Sequence, residues 1–204
     1  MSSPVKERAM VDIRATAEKH CDIADDLPAI HGLSGADTVA SLHGIGKATA
    51  IKIAKNRGCQ LSDIGNVQAE MKNVEAQATT FICAAYSKGA KSCKSMTECR
   101  IKMWHSKTGT NGASSVKLYS LPPTNEAFIE NVHRCHLQVA IWKAALLVSP
   151  PKLETQKYGW ERNHQGILFP RTIPPGTLSA PQNILQLIRC NCKTLLVVLL
   201  LVDA

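Results

Sequence analysis

The residues best suited to chemistry are two glycines and a lysine that open a helix-like pattern. Gly44 and Gly46 flank Ile45, and Lys47 follows directly. Glycine tolerates positive φ angles and lets the backbone approach another molecule closely. Main-chain amides that precede a helix N-terminus form a donor surface suited to phosphate, and Lys47 adds a positive charge there. The spacing therefore predicts a phosphate-binding hairpin.

A helix is predicted on each side of this hairpin. Apolar residues recur at helical spacing from Ala48 to Ala54, which leaves Lys52 and Lys55 to face water. Residues 36–42 are expected to form the incoming helix. The glycines would then form the turn between two helices, with Lys52 and Lys55 adding a longer-range attraction for a phosphate.

A longer run around the hairpin resembles the helix-hairpin-helix segment of the flap-endonuclease (XPG-like) nucleases. The run comprises residues 33–38, which read Leu-Ser-Gly-Ala-Asp-Thr, then Gly44-Ile45-Gly46 and Thr49-Ala50. In that family a Leu-x-Gly-x-Asp run precedes Gly-Ile-Gly and a Lys-Thr-Ala helix start. The resemblance covers only about residues 29–56.

The resemblance implies contact with the DNA backbone that does not depend on base sequence. The residues that would make this contact are Gly44, Ile45, Gly46, Lys47, Thr49 and Lys52. It also implies a K⁺ ion held by carbonyl oxygens of the hairpin. The alternative is a helix–turn–helix packing joint whose glycines serve geometry alone, since short motifs also match by chance.

Asp37 is the one candidate metal ligand. In the resembled nucleases the aspartate of this run belongs to a carboxylate cluster that holds divalent metals such as Mg²⁺, which activate water for phosphodiester cleavage. A hard cation needs several oxygen ligands, and the family's other acids lie in an N-terminal α/β domain that is missing here. The alternative role for Asp37 is the N-cap of the incoming helix.

The order of the later features resembles a second group, proteins associated with mobile elements in invertebrates and fish. These features are a Pro-Pro break, a Trp-containing helix, a Tyr-Gly-Trp strand pair, a Pro-initiated helix and Cys190-Asn191-Cys192. In that group the Cys-x-Cys opens a cysteine-rich tail. That tail is missing here, so a four-ligand zinc site is not predicted, and the chain is expected to be part of a larger protein. The apolar run 195–202 is too short to span a bilayer, so no membrane partner is expected.

Hydrophobic periodicity and turn residues predict the other elements. Helices are expected over residues 7–20, 66–86, 96–106 and 125–148, with a last one from Pro181, and a β-hairpin over residues 158–170. The predicted fold class is mainly α: a multi-helix domain with a helix-hairpin-helix and a small β-hairpin near the C-terminus.

Three regions divide the chain. Residues 1–60 are expected to be a helix-hairpin-helix region that is part of a nuclease-like domain. Residues 61–120 are expected to be a helical pair with a basic loop. Residues 121–204 are expected to hold the long helix, the β-hairpin and the C-terminal helix, with the end truncated. The basic stretch 88–107 is either a second phosphate contact or a solvated helix turn.

The charge distribution permits a nucleic-acid partner without requiring one. The net charge is +8, but residues 1–60 hold 8 basic and 7 acidic side chains. Most of the excess positive charge therefore lies after the hairpin in the sequence. No secretory signal is visible and the 8 cysteines are interpreted as reduced thiols, so the expected location is intracellular, with the nucleus left open. His133 and His136 are expected to be a surface or interface pair rather than metal ligands.

Three functions fit these features. The first is sequence-independent DNA-backbone binding by a helix-hairpin-helix, in a fragment of a nuclease-like, mobile-element-derived protein. The second is an interaction protein or decayed fragment that binds no DNA. The third is the C-terminal part of a metal-dependent, structure-specific nuclease. The sequence carries no Walker, Rossmann or Ser-His-Asp signature, and this chain alone is not expected to be an enzyme.

Overall fold

Helices make up most of the structure, which confirms the predicted mainly α class. The structure is a computed structural model that describes residues 11–57, 60–86, 93–108 and 116–173. The α-helices in these ranges are α1 (Ile13–Lys19), α2 (Leu27–Leu33), α3 (Lys47–Arg57), α4 (Met71–Tyr86), α5 (Met96–Thr108) and α6 (Asn125–Lys143). Short 3-10 helices lie at Cys21–Ile23, Leu118–Ser120 and Thr155–Tyr158.

Helix α6 forms the centre of the fold. Its side chains Phe128, Val132, Cys135 and Val139 are buried, and they recur at the three- and four-residue steps that predicted one apolar face. The helix packs against α2, α4 and α5. The hydroxyl of Thr124 accepts a hydrogen bond from the Ala127 N–H and so caps the first turn.

One hydrophobic core contains residues from all three sequence regions. Ile30 of α2, Phe81 and Ile82 of α4, and Phe128 and Val132 of α6 are buried in the same cluster. Fully burying a side chain of this size contributes about 1.5 to 3 kcal/mol. The chain up to residue 173 accordingly forms one compact unit.

The predicted β-hairpin is present. Strands β1 (Trp160–Arg162) and β2 (Leu168–Pro170) pair antiparallel. The Arg134 guanidinium of α6 donates to the Gly159 carbonyl oxygen at 3.0 Å. Arg171 donates from Nε to Glu161 Oε1 at 2.7 Å and lies 3.6 Å from Glu130 of α6. Charged groups therefore hold the hairpin against the central helix.

Two helices begin later than predicted, and one ends earlier. Helix α1 begins at residue 13 because Asp12 caps it by accepting the Ala15 N–H at 2.9 Å. Helix α4 begins at residue 71, because the Asn66 side chain accepts the Gln68 N–H at 3.1 Å and keeps that segment in a turn. Helix α6 ends at Lys143, where the following N–H groups donate three residues back: Ala145 to the Trp142 carbonyl at 3.2 Å and Leu147 to the Ala144 carbonyl at 3.0 Å.

Residues 36–42 do not form the predicted incoming helix. Ala36 and Val39 exchange both of their backbone hydrogen bonds, at 2.9 and 3.0 Å. The Asn131 side chain of α6 accepts the Ala40 N–H at 3.0 Å and donates to the Ala40 carbonyl at 3.1 Å. These backbone groups are satisfied across the fold instead of along a helix. An irregular loop therefore connects α2 to α3, a helix-hairpin-helix is not shown, and Asp37 caps no helix.

Several predicted features lie outside the described residues. They are residues 7–10 of the predicted first helix, the loop around Lys88 and Lys91, the helix from Pro181, the Cys190–Cys192 pair and the apolar run 195–202. Among the helices that the structure does describe, none has the length and apolar character needed to cross a membrane.

Candidate nucleic-acid interface

The glycine loop, residues 42–46, leads into the N-terminus of α3. Ile45 is 3% exposed and anchors the loop in the core, and its N–H donates to the Leu42 carbonyl at 3.1 Å. Gly44 has a φ of +78°, in the left-handed region that favours glycine. One buried side chain and one left-handed residue thus fix the turn, and Gly46 needs no positive φ.

Both glycines of this loop face open space. A Cβ added at Gly44 or Gly46 meets no atom within 4 Å. By contrast, a Cβ added at Gly65 would lie 2.4 Å from Val139 Cγ1, so internal packing requires that glycine. Neither packing nor φ requires glycine at position 46. The bare backbone of the glycine loop is therefore open to close approach by another molecule.

The first turn of α3 presents main-chain N–H groups without a protein acceptor. Ala50 N–H donates to the Gly46 carbonyl at 3.0 Å, which makes Gly46 the N-cap residue. No described residue accepts a hydrogen bond from the amides of residues 47–49, and glycine has no side chain to cap them. Side chains do cap α1 and α6. These amides and the positive end of the helix dipole suit an anion.

The Lys47 ammonium forms hydrogen bonds within the protein at this site. Its Nζ donates to the His31 carbonyl at 2.6 Å and also to the Gly35 carbonyl, so it neutralises the C-terminal end of α2. Partial desolvation lowers the pKa of Lys47. The sequence pattern did not predict this role, and a phosphate contact by Lys47 stays a prediction.

The three other candidate side chains on α3 differ in their surroundings. Thr49 is half-buried, and Lys52 is exposed. Lys55 turns towards the N-terminal segment, where its Nζ lies 3.3 Å from the Lys19 carbonyl and 3.9 Å from Asp22 Oδ1. Within the described part of the chain, no carboxylate lies within 4.0 Å of the Lys47 or Lys52 ammonium. Lys52 therefore remains available to an outside anion.

Asp37 lies exposed in the turn between Ala36 and Val39. It shares a surface cavity with Arg134 and Trp160, which brings a cation near it and no second acid. Among the described residues, no three or more His, Cys, Asp or Glu side chains form a group that could hold a metal ion. A Mg²⁺ site at Asp37 therefore stays a prediction that takes its other ligands from elsewhere.

Four carbonyl oxygens in and around the glycine loop already accept hydrogen bonds within the protein. The Leu42 and Gly46 carbonyls accept N–H groups of residues 45 and 50. The His31 and Gly35 carbonyls hold the Lys47 ammonium. The cation in this loop region is therefore a side chain of the protein itself, and the arrangement does not fit a K⁺ ion at those two oxygens.

His133 and His136 do not form the expected surface pair. His136 is buried, its Nδ1 accepts the Gly65 N–H at 3.1 Å, and its ring stacks on Tyr158 at 5.7 Å. His133 Nε2 lies 2.8 Å from Glu75 Oε1. The helical step of three residues places the two rings at different depths, so they have separate partners.

Tyr119 borders the glycine loop, and no sequence pattern identified it. The residue lies in the 3-10 helix Leu118–Ser120 and is 69% exposed. The centroid of its ring lies 5.8 Å from that of His43, with an angle of 71° between the planes. Lys117 Nζ lies 6.0 Å from the Tyr119 ring centroid. His43 directly precedes Gly44, so the contact joins two loops that are distant in sequence, and periodicity cannot reveal such a pair.

Comparison with known proteins gives no match. No protein-family model matches the chain, and neither a curated protein nor a solved structure matches it. The resemblance of residues 29–56 to the flap-endonuclease segment therefore stays a prediction.

Proposed function

We propose that the chain binds the sugar-phosphate backbone of DNA through the glycine loop and the first turn of α3. One observation carries the proposal: Gly44 and Gly46 have open space around them, directly before amides at residues 47–49 that lack a protein acceptor. A phosphate oxygen can approach such a surface closely and accept hydrogen bonds from it.

The main-chain amides and Lys52 contribute to phosphate binding in different ways. The amides donate to a phosphate oxygen, and hydrogen bonds to a charged group contribute about 1.5 to 3 kcal/mol each. Lys52 adds attraction from one helical turn further along α3. Contacts to phosphates carry no base information, so the binding is independent of sequence and weakened by salt.

A protein-interaction fragment without DNA binding is the second candidate function. The observation that favours it is the segment after α6, where Leu146, Leu147 and Val148 are exposed together, because contiguous exposed apolar residues often mark protein contacts. The near-neutral charge of residues 1–60 points in the same direction. A nuclease part remains a third proposal, and its metal ligands beyond Asp37 would have to lie outside the described residues.

The test is fluorescence anisotropy of labelled duplex and flap DNA over a series of salt concentrations. Gly46→Val projects a side chain into the space where the phosphate would lie. Gly44→Ala and Gly166→Ala form a matched pair, since both glycines have a φ of +78° and no neighbour within 4 Å of an added Cβ. Gly166 lies in the turn of the β-hairpin, away from the glycine loop.

We expect salt-sensitive binding by the wild type and by Gly166→Ala. Binding should weaken about tenfold in Gly46→Val, the loss that corresponds to one charge-assisted hydrogen bond. It should also weaken in Gly44→Ala. Binding that is absent from the wild type, or equal in all variants, would reject the proposal and favour the interaction fragment.

A further inference from the structure

A cleft lies between the loop of residues 35–41 and the β-hairpin. Its larger part is a cavity of 770 Å³, and its smaller part is a cavity of 180 Å³. Thr38, Arg134 and Trp160 line both parts, so the two cavities adjoin and form one cleft. No residue of the glycine loop is among the described residues that line it, so the cleft is separate from the surface proposed to bind DNA.

The loop wall of the cleft is held in place by contacts within the protein. The Thr38 hydroxyl donates to Gln138 Oε1 of α6 at 2.7 Å. At Gly35, where φ is +102°, an added Cβ would lie 2.7 Å from Ser41 Cβ, so the two ends of the loop pack against each other. A wall that is ordered before binding loses little conformational entropy when a ligand binds.

Arg134 provides a buried cation in the cleft. It is 6% exposed, and its guanidinium donates to the carbonyls of Gly159 and Arg171 and to the side-chain oxygen of Asn131, which are all neutral. In the described part of the chain, no carboxylate lies within 4.0 Å of this guanidinium. Glu130 attracts it from farther away and lies 3.6 Å from Arg171 instead. Because burying a cation is costly unless an anion accompanies it, Arg134 favours an anionic group in the cleft.

Asp37 provides the opposite charge on the loop wall of the cleft. It lines the larger cavity and is exposed. Among the described residues, no lysine or arginine nitrogen lies within 4.0 Å of its carboxylate. Asp37 and Arg134 are thus too far apart to pair directly, although they line the same cavity. A ligand with both a cationic and an anionic group can bind between them through charge-assisted hydrogen bonds.

The smaller cavity is lined mainly by apolar side chains. Leu137 and Ile141 of α6 and Leu168 of β2 lie there beside Trp160. Ile141 is 50% exposed, although it belongs to the central helix. An aliphatic chain bound in this cavity would cover Ile141 and would itself be removed from water, which favours binding.

We propose that the cleft binds a free α-amino acid with a large aliphatic side chain, such as leucine. Arg134 binds its carboxylate, Asp37 binds its ammonium group, and the smaller cavity takes its side chain. An α-amino acid carries these three groups on one carbon atom, so one small ligand satisfies all three parts of the cleft. This inference goes beyond DNA binding and does not rest on it.

The test is isothermal titration calorimetry of the whole chain with L-leucine and three analogues. L-Leucinamide lacks the carboxylate, N-acetyl-L-leucine lacks the ammonium group, and glycine lacks the side chain. Each analogue should bind at least about tenfold more weakly than L-leucine, the loss that corresponds to one charge-assisted hydrogen bond or one buried aliphatic side chain. The wild-type protein is used throughout this series, so its result does not depend on the folding of a variant.

Two variants locate the ligand in the cleft. Asp37→Asn should weaken L-leucine binding by about tenfold and leave N-acetyl-L-leucine binding unchanged, because that analogue has no ammonium group to lose a partner. Asp25→Asn is the control, since Asp25 is also exposed and does not line the cleft. Ile141→Ala should weaken the binding of L-leucine but not of glycine. Its control is Ile101→Ala on α5, where the side chain is 51% exposed.

Three results would overturn the proposal. L-Leucine that does not bind up to about 10 mM would reject the site. Equal affinities for L-leucine, L-leucinamide and N-acetyl-L-leucine would reject recognition of both charges. An unchanged affinity for L-leucine in Asp37→Asn would show that the ligand binds outside the cleft. None of these results bears on DNA binding, so the two proposals fail separately.

Discussion

At the scale of single residues, His136 is a buried histidine whose ionisation the fold opposes. Its ring is buried, and its Nδ1 accepts the Gly65 N–H at 3.1 Å. Burial lowers the pKa of His136, the charges of His133 and Lys143 lower it further, and Asp63 opposes them. The folded protein therefore keeps this imidazole neutral, whereas the unfolded chain takes up the proton at about pH 6.5.

We expect the free energy of unfolding to fall as the pH drops below about 6.5, because only the unfolded chain then binds the proton. Above that pH the contribution is fully present. Urea unfolding between about pH 8 and about pH 5 measures the dependence. His136→Gln should be less stable at high pH but less sensitive to acid, and His164→Gln, at an exposed histidine, should keep the wild-type dependence. An unchanged pH dependence in His136→Gln would contradict this assignment.

Gly65 illustrates a glycine required by packing. It has a φ of +82°, and an added Cβ would lie 2.4 Å from Val139 Cγ1. We expect Gly65→Ala to lower the free energy of unfolding by about 3 kcal/mol or more, from the left-handed backbone and the overpacked core together. Gly166→Ala has a similar φ without the clash, so it should cost about 1 to 2 kcal/mol. Equal losses in urea unfolding would show that the core relaxes around the added methyl group.

At the scale of elements, two of the exposed lysines of α3, Lys47 and Lys52, have different roles. The Lys47 ammonium binds carbonyls at the end of α2, whereas Lys52 is exposed without a described carboxylate partner. We expect Lys47→Met to lower the free energy of unfolding by about 1 to 3 kcal/mol, since it leaves charge-assisted bonds unmade. Lys52→Met should leave unfolding unchanged and weaken DNA binding at low salt. Urea unfolding and anisotropy on the same samples measure both effects, and a loss of stability in Lys52→Met would refute the division.

The elements that depend on a local pattern of apolar or turn residues could be predicted from the sequence. The apolar positions of α4 and α6 recur at helical spacing, and Gly166 with its polar neighbours marks the turn of the β-hairpin. The segment 36–42 could not be predicted, because its backbone bonds go to Asn131 of a distant helix. The glycine loop followed from its spacing, but Tyr119 beside it did not, since a contact between two loops leaves no periodic signal.

At the scale of the whole molecule, the net charge of +8 does not show how many cationic side chains are free to contact a partner. Several basic side chains donate to main-chain carbonyls: Lys47, Lys55, Arg100, Lys107, Arg134 and Lys143. Such a cation keeps its charge, but it reaches a phosphate only by leaving its carbonyl. The proposed binding surface comprises the glycine loop and Lys52, so direct contacts to DNA should be few and should cluster there.

This count of contacts determines how steeply salt weakens binding. Each neutralised phosphate contributes about −0.9 to the slope of log K against log salt, so two or three contacts give a slope of about −2 to −3 for closed duplex DNA. If the whole net charge of +8 acted as a diffuse cation, the slope would be about −7. Anisotropy in KCl from about 50 to about 200 mM measures it, and Lys52→Met should reduce the slope by about 1. A steep slope that Lys52→Met does not change would indicate diffuse adsorption. At a localised site, removing one lysine removes one phosphate contact and so makes the slope shallower.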